Sequence, residues 1–579
     1  MRPVVWSTSY LFRDPRGISI VTSNSTATSR SVLRPPTRRL PRADRPLRAA
    51  RWAVVSRTQD RRDEEPVAGP PERTAEPAPQ DDDAPRGAAP APPASTDPRP
   101  VPVQRPARRR RLLVGGAAAA VALLLGGYAV ADAADAAPGV LTLAPEPTAP
   151  APAVPPGAAA RPAPPGALAA LDPAAPRPDP AALAAALDPL LAAPALRGSA
   201  TASVVDATTG QVLLDSGASQ PQVPASVAKV LTATAALHAL GPDATLPTRV
   251  VAGAAPGQVV LVGGGDQLLT AGRGDPAATV GRAGLADLAD AVAASLRAQG
   301  TTSATVVLDD SLTGGSPQVE AGWGSGDVAA GYVAPLTSVA LDAGRATPAN
   351  YAPRSLDPAL DVARTLASLL AQRGVRADPA AVVRGGPAPA ASAVLGEVRS
   401  APLVDVVADA LAESDNTVAE ALARLVGQAT GRPPGFAASA QAVLEQARAA
   451  GVDTTGAVLV DGSGLGAGSQ VPAAVFTSAL STAARQPGAA PLLEAMPVGG
   501  LSGTLAERFE GGSTAAAGLV RAKTGSLTGV SSLVGTVVDA DGRLLAFAVL
   551  ADGTGATAPS RQALDAVAAA LAGCGCRTG

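Results

Sequence analysis

Aromatic side chains are scarce in this chain: Phe, Trp and Tyr number 5, 3 and 4 among 579 residues. Ring packing cannot dominate the interior, so the core must be built from Ala, Val and Leu. Histidine occurs once, at His238, and cysteine twice, at Cys574 and Cys576. That inventory cannot assemble a Cys/His zinc site, and no metal or organic cofactor is expected. It also leaves a Ser-His-Asp hydrolase a single candidate base. The formal net charge is only −2, yet residues 1–111 carry 22 Arg against 12 acidic residues, which leaves the remainder acidic. An acidic remainder lacks the basic face that nucleic-acid binding requires, so no nucleic-acid partner is expected.

What is abundant is glycine and proline, 60 and 57 residues, and their distribution divides the chain. Residues 1–111 are rich in Arg, Pro, Asp and Ser without a helical or strand period, the composition of a disordered cytoplasmic tail. Arg108, Arg109, Arg110 and Arg111 then precede twenty uncharged residues, 112–131. At about 1.5 Å per residue this run spans about 30 Å, the hydrocarbon thickness of a bilayer. The one-sided Arg block predicts a single-pass signal anchor with its C-terminal side outside the cell membrane. A cleaved signal, releasing a secreted enzyme at the Ala-x-Ala sequences near Ala131 and Ala133, is the alternative. No cysteine lies nearby to carry a lipid. Residues 132–180 form a Pro/Ala-rich linker, a semi-rigid spacer.

Folded sequence is expected from about Asp179. DPAALAAALDPLLAA and SRQALDAVAAALAG, near the two ends, have helical patterns, and two hairpins are expected. One turns at Thr209-Gly210 within ASVVDATTGQVLLDS, the other at Asp541-Gly542 within LVGTVVDADGRLLAFAVL. Hairpins at both ends with flanking helices predict an α/β class in which helices cover an antiparallel sheet, and exclude a doubly wound parallel fold.

Lysine carries the chemical information. Of 47 basic side chains 45 are Arg, and the two lysines are Lys229 and Lys523. A guanidinium stays protonated, whereas an ammonium can be desolvated, lose a proton and serve as a base. Lys229 follows Ser226 by three residues in an apolar helical stretch, so the two share a helix face near its first turn. Ser414, Asp415 and Asn416 separate VDVVADALAE from TVAEALARLV, which presents them from an interhelical loop. Lys523, Thr524 and Gly525 end the strand-like GLVRAKTG, where Gly525 would let the backbone approach a ligand closely.

S-x-x-K, S-D-N and K-T-G in that order are the signature of penicillin-binding proteins and serine β-lactamases. The chain resembles the D-alanyl-D-alanine carboxypeptidase/endopeptidase family of low-molecular-mass penicillin-binding proteins over roughly residues 180–573. The likeness extends to GGGDQLL (263–269), VVLDDSL (306–312), the stretch from Trp323 to Tyr332 and Pro335, VDGSGLG (460–466) and PVGGLSGTL (497–505). It implies a transpeptidase-like domain in two parts, 181–245 and 395–579, interrupted by a strand-rich accessory region at 246–394. The long interval from Lys229 to Ser414 marks that insertion.

The resemblance also implies roles. Ser226 acylates on the penultimate D-Ala carbonyl of a peptidoglycan stem peptide, with Lys229 as its base, kept neutral by desolvation and by the charge of Lys523. Ser414 relays a proton to the leaving amine and Asn416 orients the lysine and the substrate amide. Lys523 and Thr524 receive the terminal carboxylate, and Gly525 and Ser526 complete the binding strand. The oxyanion hole comes from the N–H groups of Ser226 and Ser526. β-Lactams would be covalent inhibitors. His238 lies twelve residues beyond Ser226, about 18 Å along a helix, and is read as a half-buried structural residue. Two readings compete: a serine β-lactamase, for which Glu413 and Glu420 are the nearest acids without a recognisable deacylation motif, and an idle wall-binding module.

Overall fold

The computed structural model comprises two units, residues 1–148 and 149–579, and describes residues 9–14, 17–22, 172, 174–197 and 200–575. In the first unit Ser9–Asp14 (β1) pairs antiparallel with Gly17–Thr22 (β2). The run 112–131 lies outside the described residues. Among the described residues no helix is long and apolar enough to cross a membrane.

The second unit starts with helix Pro180–Leu191 (α1), which Asp179 caps by accepting from the N–H groups of Ala181 and Ala182. The chain packs slightly earlier than the pattern suggests, because Arg543 donates to the carbonyl of Ala175 (3.3 Å). Strands Ala200–Asp206 (β3) and Val212–Ser216 (β4) form the first expected hairpin, with Gly210 at φ 78° in its turn. The short strand Pro221–Gln222 (β5) leads to a 3-10 turn, Ala225–Ala228, and helix Lys229–Leu240 (α2). From Lys229 to Leu237 every residue of α2 is buried, as expected of a helix apolar on all sides.

The segment expected to be strand-rich is a mixed α/β layer. Pro247–Ala252 (β6) and Gln258–Gly263 (β7) are antiparallel, and helix Leu285–Ala298 (α3) carries the chain to Thr305–Asp309 (β8), parallel to β7. Helix Pro358–Gln372 (α4) leads in turn to Val383–Gly385 (β9), parallel to β8. Parallel neighbours need such crossovers. Val394–Arg399 (β10) closes the other edge against β6, so this sheet runs to residue 399, beyond the expected limit of 394.

Helices Leu403–Ala412 (α5), Asn416–Ala429 (α6) and Phe436–Ala449 (α7) then pack around α2. After Val471–Pro472 (β11) come helices Ala473–Arg485 (α8) and Pro491–Glu494 (α9). Strands Val520–Leu527 (β12), Val530–Val538 (β13) and Leu544–Asp552 (β14) complete a five-stranded antiparallel sheet in the order β12-β13-β14-β3-β4. Gly542, at φ 83°, lies in the second expected hairpin turn. Helix Thr557–Ala572 (α10) and α1 lie on one face of this sheet and α8 on the other, the helix-covered antiparallel architecture expected from the pattern. Cys574 is buried at the end of α10 and disulfide-bonded, while Cys576 lies outside the described residues.

His238 is exposed in the last turn of α2, not half-buried. There an imidazole meets the negative end of the helix dipole. Few rings serve the core, so each one matters: Phe547 on β14 is fully buried against α1 and α10. Phe547→Ala should lower stability by about 3 to 5 kcal/mol, measured as a shift of the denaturant midpoint at unchanged slope.

Candidate active site

A cleft of about 900 Å³ opens between the α2 end of the sheet and the loops of the insertion. Ser226, Ser414, Asn416, Thr524 and Ser526 line it, and Lys229 and Lys523 lie buried beneath. The structure therefore brings together all the residues singled out by the three motifs.

Ser226 sits in the 3-10 turn just ahead of α2, not in the α-helix itself. The preceding Ala225 has φ 50°, an uncommon left-handed value for a residue with a Cβ. Two glycines clasp this turn. A Cβ on Gly525 would lie 2.0 Å from Ser532 Oγ and 2.7 Å from the Pro224 carbonyl, and one on Gly464 would lie 2.0 Å from the Ala225 carbonyl. The close approach at Gly525 is thus to the nucleophile's own turn, where Ser532 Oγ donates to the Pro224 carbonyl (2.8 Å).

Lys229 Nζ lies 3.0 Å from Ser226 Oγ, 2.6 Å from Asn416 Oδ1 and 2.9 Å from the Ser463 carbonyl. The Asn416 amide has a fixed orientation, because its Nδ2 donates to the Tyr332 carbonyl (2.9 Å), which can only accept. Burial pulls Lys229 down to about 8, against the opposing charges of Asp461, Glu420 and Asp415. Lys523 is held well below the ordinary lysine range, first by complete burial and then by the charge of Lys229. The two ammonium charges repel one another, so each disfavours protonation of the other. Lys523 Nζ donates to the Thr524 carbonyl (2.9 Å).

Ser414 takes φ 58° in the α5–α6 loop. Asp415 caps α6 through the Val418 N–H (3.0 Å) and forms buried ion pairs with Arg345 and Arg354. Arg354 also donates to the carbonyls of Gly331 (3.0 Å) and Ala343 (2.8 Å). The insertion is therefore part of the cleft, a role its sequence did not reveal for Arg345 or Arg354. These were two arginines among 45, distinguished only once Asp415 is seen to be buried.

The loop after α7 is equally structural. Asp461 accepts from Trp323 Nε1 (3.0 Å) and from the N–H groups of Gly464 and Gly466 (both 2.7 Å). Glu420 accepts from the N–H groups of Gly462 and Ser463, and burial followed by the Asp461 charge raises it to about 8. Its carboxyl faces this loop and does not line the cleft, unlike a deacylating base. Glu413 does reach the rim, where Asn350 Nδ2 donates to it (3.3 Å).

Residues 183–354 and 345–572 match the D-Ala-D-Ala carboxypeptidase 3 (S13) family. The chain is 42% identical over 435 residues to "Carboxypeptidase DacB" of Mycolicibacterium smegmatis, a match covering 73% of this chain and 91% of the relative. It is 30% identical over 466 residues to a "D-alanyl-D-alanine carboxypeptidase" of an Actinomadura species, covering 66% and 83%. The fold resembles the crystal structure of penicillin binding protein 4 (dacB) from Haemophilus influenzae, with a TM-score of 0.52 at 22% identity over 64% of this chain and 94% of that one. The chain belongs to the D-Ala-D-Ala carboxypeptidase 3 (S13) family and is a serine-type D-Ala-D-Ala carboxypeptidase with a penicillin-binding-protein fold.

Proposed function

We propose that Ser226 attacks the penultimate D-Ala carbonyl of a peptidoglycan stem peptide, forming an acyl-enzyme and releasing D-Ala, and that water then cleaves the acyl-enzyme. The observation that carries this is the hydrogen-bond arrangement at Lys229 Nζ. A neutral amine has two N–H bonds and one lone pair. The Ser463 carbonyl and the oriented Asn416 Oδ1 accept both N–H bonds, which leaves the lone pair for the Ser226 hydroxyl. Lys229 is then the base that takes the Ser226 proton.

Ser414, on the cleft wall, is assigned to pass a proton to the leaving amine. The N–H groups of Ser226 and Ser526 are assigned to the developing oxyanion. β12 is the edge strand of its sheet, which supports addition of an extended peptide beside Thr524 and Ser526. Cleavage of a cross-link is the same acyl transfer with a larger leaving amine, so endopeptidase action belongs to the same proposal. The H. influenzae protein also has a structure in complex with a β-lactam, and the same class of inhibitor is proposed to acylate Ser226. Residues 112–131 are proposed to anchor the enzyme, with catalysis outside the cytoplasmic membrane, on the strength of the Arg block and the apolar run.

The adduct is checked by intact mass after addition of a penicillin. A Ser226-dependent adduct that persists is expected, with none in Ser226→Ala, and rapid loss of the adduct with drug consumption would instead indicate a β-lactamase. Lys229→Arg cannot present a lone pair and should slow acylation by about 10²-fold or more. Because Lys229 is lowered to about 8, its neutral fraction grows as pH rises. The acylation rate constant should therefore climb towards pH 8 and level off above it, and a rate independent of pH from 6 to 9 would contradict the base role. The full chain should sediment with membranes and need detergent for release, while residues 133–579 alone should remain in the supernatant.

A further inference from the structure

Lys523 is the cation expected to hold the substrate's terminal carboxylate, but its placement does not suit that task. The side chain is fully buried, its Nζ donates to the Thr524 carbonyl, and burial opposes its charge. A charged group at the cleft surface has to come from elsewhere.

One lies beside the binding strand. Arg561, exposed on α10, lines the cleft and its Nη2 donates to Ser526 Oγ (3.3 Å). Thr524 and Ser526 are two apart on edge strand β12, so their side chains share a face. The neighbouring Arg508 is engaged differently: it pairs with Asp565 and donates to the Arg561 carbonyl (3.2 Å), which braces the helix turn carrying Arg561. Arg561 itself meets a hydroxyl and not a carboxylate. The N-terminus of α10 also opens here, with Thr557 in the cleft wall and no side-chain cap at Ala556, which adds positive potential.

We propose that Arg561 is the specificity-determining residue that binds the free α-carboxylate of the substrate's C-terminal D-alanine, together with the hydroxyls of Thr524 and Ser526. This rests on the Ser226 acyl-enzyme reading and assigns the recognition of the leaving residue within it. A guanidinium keeps its charge and offers two parallel N–H bonds to a carboxylate. An exposed guanidinium can do so without the desolvation cost that burial imposes on the Lys523 ammonium.

The test compares Ser226 acylation by benzylpenicillin, which carries a carboxylate, with acylation by its methyl ester, in the full-length enzyme and in Arg561→Gln and Arg561→Lys. The acid-to-ester ratio of rate constants should fall about tenfold or more in Arg561→Gln, and Arg561→Lys should recover part of it. Equal losses on acid and ester, or no loss on either, would overturn the assignment. Release of D-Ala from an acid-terminated D-Ala-D-Ala peptide is measured alongside, against the same peptide with a C-terminal amide. If the parent enzyme is acylated by penicillin yet releases no D-Ala, the peptidase mechanism is wrong while the acid-to-ester ratio still decides the role of Arg561.

Discussion

Two lysine side chains are withdrawn from water beneath one cleft, and most of the architecture follows from making that tolerable. An ammonium is costly to bury unless it is paired or neutralised. For Lys229 both remedies are present. The carboxyl groups of Asp461, Glu420 and Asp415 moderate the cost, burial favours the neutral amine, and obligate acceptors on two sides orient that amine so that its remaining lone pair faces Ser226. Among the described residues no such carboxylate set acts on Lys523, and the neighbouring charge of Lys229 adds to its desolvation. The two lysines are therefore unequal: one is balanced near neutrality for proton transfer, and the other serves the strand from beneath.

Holding Ser226 against that amine requires the backbone to come unusually close to itself. With few rings to fill space, the nucleophile turn is gripped by main chain. Gly525 approaches from the edge strand and Gly464 from the loop tied down by Asp461. At either position a methyl group would displace the turn that presents Ser226. The glycines of two separate motifs thus solve one steric problem, and the buried carboxyl groups Glu420 and Asp461 hold the loop that carries one of them.

Local chemistry made part of this legible in the sequence. Lys229 and Lys523 stood out against 45 arginines, and the two hairpins followed from turn residues flanked by alternating apolar positions. The helix-covered antiparallel sheet followed from those hairpins. Less legible was whatever depends on contacts across hundreds of residues. Gly525 looked like a ligand approach, but its constraint comes from Pro224, 301 residues earlier. The insertion looked strand-rich because its β-branched runs are conspicuous, although Leu285, Leu288, Val292 and Leu296 carry the helical spacing that buries α3. His238 looked partly buried on an apolar helix, but it falls in the last turn, where the helix emerges. Arg561 carried no local signal, since its meaning lies in the Ser526 hydroxyl 35 residues away.

The insertion's place in the cleft changes what it must be doing. Its Tyr332 carbonyl fixes the Asn416 amide, and that amide orients the Lys229 amine. Were the amide reversed, an N–H would face Lys229 Nζ, and the lone pair would be drawn away from Ser226. Asp415, one residue earlier, is bound by Arg345 and Arg354, both from the same insertion, and also caps the helix that begins at Asn416. Breaking such a buried ion pair costs about 3 to 5 kcal/mol, so these loops cannot withdraw cheaply. The inserted region therefore acts on the base through the Asn416 amide that its Tyr332 carbonyl orients, whatever else its outer surface contacts.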